Sequence, residues 1–261
     1  MDKRHADLAP LSGVDDGPGL IVTRRRDCPA DHFIDWHRHQ RAQLLYAVNG
    51  VMQVTAPAGI WIVPPQRAVW IPPGTPHHVR AQGGPLSLRS VYVHPDVPGL
   101  PETCSVVTVS PLMRELILEA MDIGDGFDPT GPEGRLVQVL LDRIRELPVA
   151  PLHLPMVADP RLKRIADTLL AEPDDPRTLD DWAALAGASA RTLARAFIAD
   201  TGMTFGQWRQ QARLLAALAR LAQGDSVTTV ALDLGYASQS AFIAMFRRAL
   251  GRTPGRYFSE T

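Results

Sequence analysis

The sequence predicts an α+β protein of two domains, a β-rich N-terminal half followed by helices and an all-helical C-terminal half. Three observations carry this. Residues 20–110 break into short apolar runs separated by Gly and Pro, among them Gln43–Val48, Val51–Val54, Ile60–Val63 and Ser90–Val93. Closely spaced strands with such turns predict a sandwich or barrel. Beyond residue 110 the runs lengthen and adopt a helical period. Finally, the end of the chain carries a weak duplication. Ala183–Ser189 runs into Arg191–Phe197, and Ala231–Ser238 later runs into Ala241–Arg248.

Along the chain, residues 1–19 are polar and acidic, show no signal peptide, and are expected to be disordered. Residues 20–110 form the β domain. Pro111–Met121 and Pro132–Leu147 read as helices, each with proline in its first turn. In the second, Leu136, Val139, Leu140, Arg143, Ile144 and Leu147 share a mostly apolar face. That face packs either on its own domain or in a dimer seam within the segment 111–147. Residues 148–158 read as a linker, since Pro148–Pro160 holds four prolines and no helical period. Residues 159–261 form the helical domain.

Composition sets limits. Hydrophobic residues make up 45% of the chain, ordinary for a globular protein, and no apolar run approaches a membrane-spanning length. Cys28 and Cys104 stand in no metal or redox spacing, so the expectation is two free thiols in the cytoplasm. The net charge of −1 divides into +2 from residue 156 onward and −3 before it. An excess this small is no argument for nucleic acid, so that case rests on where the arginines sit.

Each copy of the duplication has an alanine, a glycine four residues on, a serine soon after, and apolar residues four and eight beyond the serine. Thr178 with Asp181 resembles a capping box for a helix from Leu179, and Gly187 ends it. Ser189 caps the next helix, with Leu193 and Phe197 inward and Arg191, Ala194 and Arg195 outward. In the second copy Ser226 or Thr228 starts a helix, Gly235 ends it and Ser238 caps its successor. There Phe242 and Phe246 turn inward, leaving Gln239, Ser240, Ile243, Ala244 and Arg247 outside. Phe205–Leu221 forms a long helix between the copies. Two helix-turn-helix units joined by a rigid strut predict binding of two consecutive major grooves of double-stranded DNA, about 34 Å apart.

This half resembles the DNA-binding domain of the AraC/XylS family of bacterial transcription regulators over about residues 160–258. The match lies on Ser189-x-Arg191-Thr192-Leu193-x-Arg195-x-Phe197, Thr201-Gly202-Met203-Thr204-Phe205-x-x-Trp208, Arg213-Leu214, Gly235-Tyr236-x-Ser238 through Phe246-Arg247-Arg248, and Gly251-Arg252-Thr253-Pro254. The resemblance implies base-edge contacts from Arg191, Ala194 and Arg195, and from Gln239, Ser240 and Ala244, with Arg247 on the same face. Arginine can bond guanine bidentately and glutamine adenine, whereas Ala194 and Ala244 can at most touch a thymine methyl. Arg191, Arg195 and Gln239 are therefore the expected base readers. A bacterial regulator of this kind implies a homodimer, with RNA polymerase as a further partner.

In the N-terminal half, His37-Arg38-His39 is followed by Gln43 and Gly50, then by Pro72-Pro73-Gly74-Thr75-Pro76-His77. Residues 37, 39 and 43 share parity, so on one extended strand all three would face one cavity, with His77 joining from a neighbour. The pattern resembles the cupin signature over about residues 30–95, with Gln43 in place of the usual glutamate. It implies a cupin-like β-barrel in which His37, His39, Gln43 and His77 are the metal ligands. Three imidazoles suit Zn²⁺, Ni²⁺ or Fe²⁺, and the amide weakens divalent binding by removing a negative charge. The same histidines, with Trp36 and Trp61 as cavity wall, could instead hold a small-molecule effector, or satisfy one another inside the barrel. Trp36 and Trp61 could equally be core.

Two functions are thus expected. The first is a DNA-binding transcriptional regulator controlled by a small molecule or metal in the cupin domain, and not an enzyme. The second is a metal-dependent cupin oxygenase or isomerase carrying a DNA-binding domain. The missing acidic ligand and the lack of an evident general base, Asp35 being the nearest carboxylate, weigh against the second.

Overall fold

The structure is a computed structural model and describes residues 13–17 and 19–259, with the side chain of Ser259 excluded. Residues 1–12 and 18, where most of the expected disordered start falls, lie outside the described residues. The chain divides into two compact units. One runs to Leu152 apart from Ala58–Ile60; the other comprises Ala58–Ile60 and the chain from His153.

The first unit contains β1 (Ile21–Cys28), β2 (Phe33–His37), β3 (Ala42–Asn49), β4 (Met52–Ala56), β5 (Gly59–Val63), β6 (Arg67–Ile71), β7 (His77–Ala81), β8 (Leu86–Val93) and β9 (Ser105–Thr108). Helices α1 (Pro111–Ile123) and α2 (Pro132–Arg145) and strand β10 (Val149–Ala150) follow. One sheet has the order β1-β8-β3-β6-β9-β10, and a second, which also takes in β11 (His153–Pro155), has the order β11-β5-β4-β7-β2.

The strands thus form two antiparallel sheets, in keeping with the expected sheet-rich domain, with no closed barrel among the described residues. The chain passes from one sheet to the other between Phe33 and Ala42. The β2–β7 register shifts between Ile34 and His37, β2 ends at His37, and β3 then joins the other sheet. A bulge followed by a change of sheet makes a corner between stacked sheets instead of one continuous wrap.

Strand β3 shows why its sequence is almost continuously apolar, since both its faces are covered. Ala42, Leu44 and Tyr46 join Trp70, Val91, Met113, Ile117, Val137, Leu140 and Ile144 in one core between the six-stranded sheet and α1–α2. Gln43, on the alternate face, is buried as well. The apolar stripe of α2 is therefore used mainly within its own unit. Leu140 and Ile144 are buried there, Leu136 and Leu147 pack against the edge, and Val139 and Arg143 stay exposed. Ser110 caps α1 by accepting from Met113 N, with Pro111 where the backbone needs no donor.

The stretch expected to be disordered has contacts in its described part. Val14 is buried with Val22 and Tyr92, and Asp15 Oδ1 accepts from Gln40 N at 2.7 Å. The stretch read as a linker carries β10 and β11.

The second unit holds α3 (Pro160–Ala171), α4 (Leu179–Leu185), α5 (Ala190–Thr201), α6 (Phe205–Ala222), α7 (Val227–Asp233), α8 (Gln239–Leu250) and α9 (Pro254–Ser259). Its helix starts follow the sequence closely. Thr178 and Asp181 form a reciprocal capping box, as do Thr204 and Gln207. Ser189, Ser226 and Ser238 each accept from the backbone N–H three residues on. Gly187 and Gly235, with φ of 62° and 73°, let the chain leave α4 and α7 in the left-handed region. Leu193, Phe197, Phe205 and Trp208 are buried together around the first pair, and Val230, Leu234, Phe242 and Phe246 around the second.

Candidate functional site

Helices α5 and α8 each bury one side and leave the other to solvent. On α5, Leu193 and Phe197 are fully buried while Arg191 and Arg195 are exposed and Ala194 is half-buried. On α8, Phe242 and Phe246 are fully buried while Gln239, Ser240, Ala244 and Arg247 are exposed. Among the described residues none of Arg191, Arg195, Arg247 and Arg248 forms an ion pair, whereas Arg161, Arg177 and Arg220 in the same unit are paired with carboxylates. Ser240, Ile243, Ala244, Arg247 and Arg248 line an open groove along α8. Arg248 was not among the expected contacts; its place next to Arg247 on the last turn is the signal that would have found it.

In the first unit His37, His39 and His77 converge. One ring nitrogen from each lies within 4.8 Å of the others, and the ring centroids of His77 stand 4.2 Å from His37 and 5.2 Å from His39. His37 and His77 face each other directly across β2 and β7. His39 arrives from the corner between the sheets and Gln43 from β3. Residues 37, 39 and 43 thus come together, but not by the shared parity of one strand, because they do not lie on one.

Each imidazole turns Nδ1 to a main-chain carbonyl two residues away. His37 bonds Asp35 O at 2.8 Å, His77 bonds Thr75 O at 2.9 Å, and His39 bonds Arg41 O. A carbonyl only accepts, so these bonds place a proton on each Nδ1 and turn Nε2 to other neighbours. His77 is fully buried and its Nε2 has no hydrogen-bond partner among the described residues. Burial lowers the pKa of His37 and His39 and lowers that of His77 furthest, so the cluster is neutral near pH 7. Gln43 Oε1 lies 3.1 Å from His39 Nε2, and Gln43 Nε2 donates to Ser90 Oγ and Tyr92 Oη at 3.0 Å each. Ser90 and Tyr92 were not expected in the site. Their signal is a polar pair at alternate positions in the otherwise apolar run of β8.

Other expected residues fall elsewhere. Trp36 is half-buried and stacks edge-on against His78 at 4.7 Å, and Trp61 is buried in the core at 1% exposure. Asp35 is exposed; its charge acts on His78 and its carbonyl, not its carboxylate, serves the cluster.

Comparison with known proteins agrees with this division. Residues 19–127 match the AraC-like ligand binding domain, and residues 182–260 match a helix-turn-helix domain. The HTH-type transcriptional regulator NimR of Escherichia coli is 39% identical over 224 residues, 86% of this chain and 82% of that protein. The regulatory protein SoxS of Salmonella typhimurium is 39% identical over 85 residues, 32% of this chain and 79% of that protein. Among solved structures, ToxT of Vibrio cholerae with bound unsaturated fatty acid covers 93% of this chain and 96% of its own at 10% identity and a TM-score of 0.40. The DNA-binding domain of AdpA in complex with a target DNA covers 38% of this chain and 90% of its own at 33% identity and a TM-score of 0.36. With an AraC-like ligand-binding half, a helix-turn-helix half and a relative matched over most of its length, the chain belongs to the AraC/XylS family of transcriptional regulators.

Proposed function

We propose that this regulator reads double-stranded DNA with α5 and α8 in successive major grooves, and that its sheet-rich unit responds to a divalent metal ion. The observation that carries the first part is the repeated division of each helix into a phenylalanine-bearing buried side and an exposed polar side. Arg191 and Arg195 would bond guanine edges and Gln239 an adenine edge. Ser240 and Arg247 lie within reach of base or phosphate oxygens, and Ala194 and Ala244 permit close approach to a thymine methyl.

For the second part, the donor set fits a metal. Three neutral imidazoles each bring one ring nitrogen within 4.8 Å of the others, and that spread closes onto bonds of about 2.1 Å with movements under about 1 Å. The buried, unpartnered Nε2 of His77 supports an occupant with a vacant orbital. His37, His39 and His77 would hold Zn²⁺, Ni²⁺ or Fe²⁺, with Gln43 Oε1 as a neutral fourth donor. The ion would cross-link β2, β7 and the corner before β3, and it alters DNA affinity only if it binds the two states of the protein unequally. No carboxylate joins the cluster among the described residues, which supports sensing over hydrolytic or oxygenase chemistry. The working form would be a cytoplasmic homodimer that contacts RNA polymerase when it activates.

Genome-wide footprinting of the purified protein with and without added Zn²⁺, Ni²⁺ or Fe²⁺ tests both parts. Discrete, paired half-sites whose occupancy changes with one metal support the reading. Occupancy indifferent to metal, and unaltered in His77→Ala, would remove the sensor assignment and leave the DNA assignment standing.

A further inference from the structure

Helix α6 does more than separate the two helix-turn-helix units. Arg209 and Arg213, one turn apart, share a side of the helix. Arg209 Nη1 donates to Arg177 O at 3.0 Å and Nη2 donates to Asp175 O. Arg213 Nε donates to Pro173 O at 2.6 Å. All three carbonyls belong to the segment 172–178 that leads into α4. That segment is itself tied to the first unit of the duplication. The buried Asp175 carboxylate accepts from Arg177, whose guanidinium lies over the Trp182 ring of α4, 3.7 Å from its centroid.

Arg213 also reaches the second unit. Its guanidinium lies 5.7 Å from the ring centroid of Tyr236, within cation–π range. Its Nη2 stands 3.0 Å from where a Cβ on Gly235 would be, and the Asp174 backbone stands 3.2 Å from the same point. Gly235 and Tyr236 form the turn between α7 and α8, just before the Ser238 cap. One side chain thus touches the leader of α4–α5 and the turn of α7–α8. Arg220, bonded to Asp225 at 2.7 Å and Asp233 at 2.8 Å, fixes only the second unit to α6.

We propose that Arg213 is the positioning residue that sets the separation and rotation of α5 relative to α8, and thereby the spacing between half-sites that the protein accepts. The inference rests on the reading of α5 and α8 as the DNA-contacting helices. A guanidinium can direct one N–H at a carbonyl while its plane faces a ring; neither lysine nor an apolar residue does both. Without it α6 still spans the two units, but the leader and the turn are free to shift against each other. A one-base-pair insertion moves a half-site by about 3.4 Å and roughly 35°, so a rigid pair rejects it and a loosened pair adapts.

The test uses the full chain and duplexes selected from a random library with the wild-type protein, each remade with one or two base pairs inserted between the half-sites and as a single half-site. The wild type should lose about tenfold or more in affinity per insertion. Arg213→Met should bind the single half-site within about twofold of wild type while losing less than about threefold per insertion. Tyr236→Leu, which removes only the ring, should show a partial form of the same change. If Arg213→Met does not fold, Arg213→Lys is measured in its place. A variant that keeps the full spacing penalty overturns the proposal, as does one that loses single-site affinity in proportion. Failure of the wild type to select any paired site would overturn the DNA reading along with it.

Discussion

Mild acid should loosen the metal-free sensory unit through its buried histidines. His39 and His77 are buried at 1% and 0% exposure, and burial holds both below the ordinary histidine pKa. The unfolded chain therefore takes up their protons first. Stability is fully present above about pH 6.5 and falls as the pH drops below it. Each unit by which burial depresses a histidine costs about 1.4 kcal/mol once the pH is below both its folded and unfolded values, so depression at two sites is a sizeable part of a typical total of roughly 5–15 kcal/mol. His37 is part-exposed and adds less, with the same sign. Asp159, held by its hydrogen bonds to Arg161, sits at about 2, far below this window. The assay is urea unfolding with chelator present at pH 7.5, 6.5, 5.5 and 5, followed by tryptophan fluorescence. The midpoint should fall steadily below pH 6.5, and His77→Leu should flatten that fall by about half of the buried pair's share. A midpoint that is level or rising between pH 7.5 and 5, or a His77→Leu profile parallel to wild type, would refute the assignment of neutral, desolvated imidazoles.

Arg195→Ala should weaken binding to a selected duplex by roughly 1–3 kcal/mol more than binding to random DNA, measured by fluorescence anisotropy; equal loss on both would make it a phosphate contact. Affinity for any duplex should fall steeply between low and physiological salt, because phosphate contacts release counterions, and a salt-independent constant would contradict the groove-bound geometry. Gln43→Glu should tighten Zn²⁺ on the order of tenfold or more in equilibrium dialysis, since it adds a negative charge 3.1 Å from His39 without displacing an imidazole. Unchanged affinity would place the ion away from Gln43. Val139→Arg, on the exposed part of α2, should shift a homodimer toward monomer in analytical ultracentrifugation, and an unaltered mass distribution would move the seam elsewhere.

Much of the second unit was legible from short spans of chain. The caps at Thr178, Ser189, Ser226 and Ser238, the left-handed glycines at 187 and 235, and the inward pairs Leu193–Phe197 and Phe242–Phe246 all express interactions between residues at most four apart. A helix carries its own hydrogen bonds, so its local signals survive assembly, and the exposed sides of α5 and α8 follow directly. The bridging role of Arg213 was not legible, because Pro173 and Tyr236 lie far from it along the chain and nothing in its neighbours announces a carbonyl or a ring.

In the first unit the sequence named the histidines but not the way they meet. A strand pairs with partners elsewhere in the chain, and a single bulge reverses which residues face inward. The corner after His37 sent β3 into the other sheet, and the Asp35 carboxylate lies on an exposed side. Residue chemistry alone therefore determined that imidazoles and an amide were available here, and that two arginine- and glutamine-bearing helices would face outward. Only the tertiary structure decided that one ring nitrogen from each of three histidines comes within 4.8 Å of the others, that Ser90 and Tyr92 hold Gln43 beside them, and that most of the α2 stripe packs on its own sheet, because each depends on contacts between segments that the chain brings together only when folded.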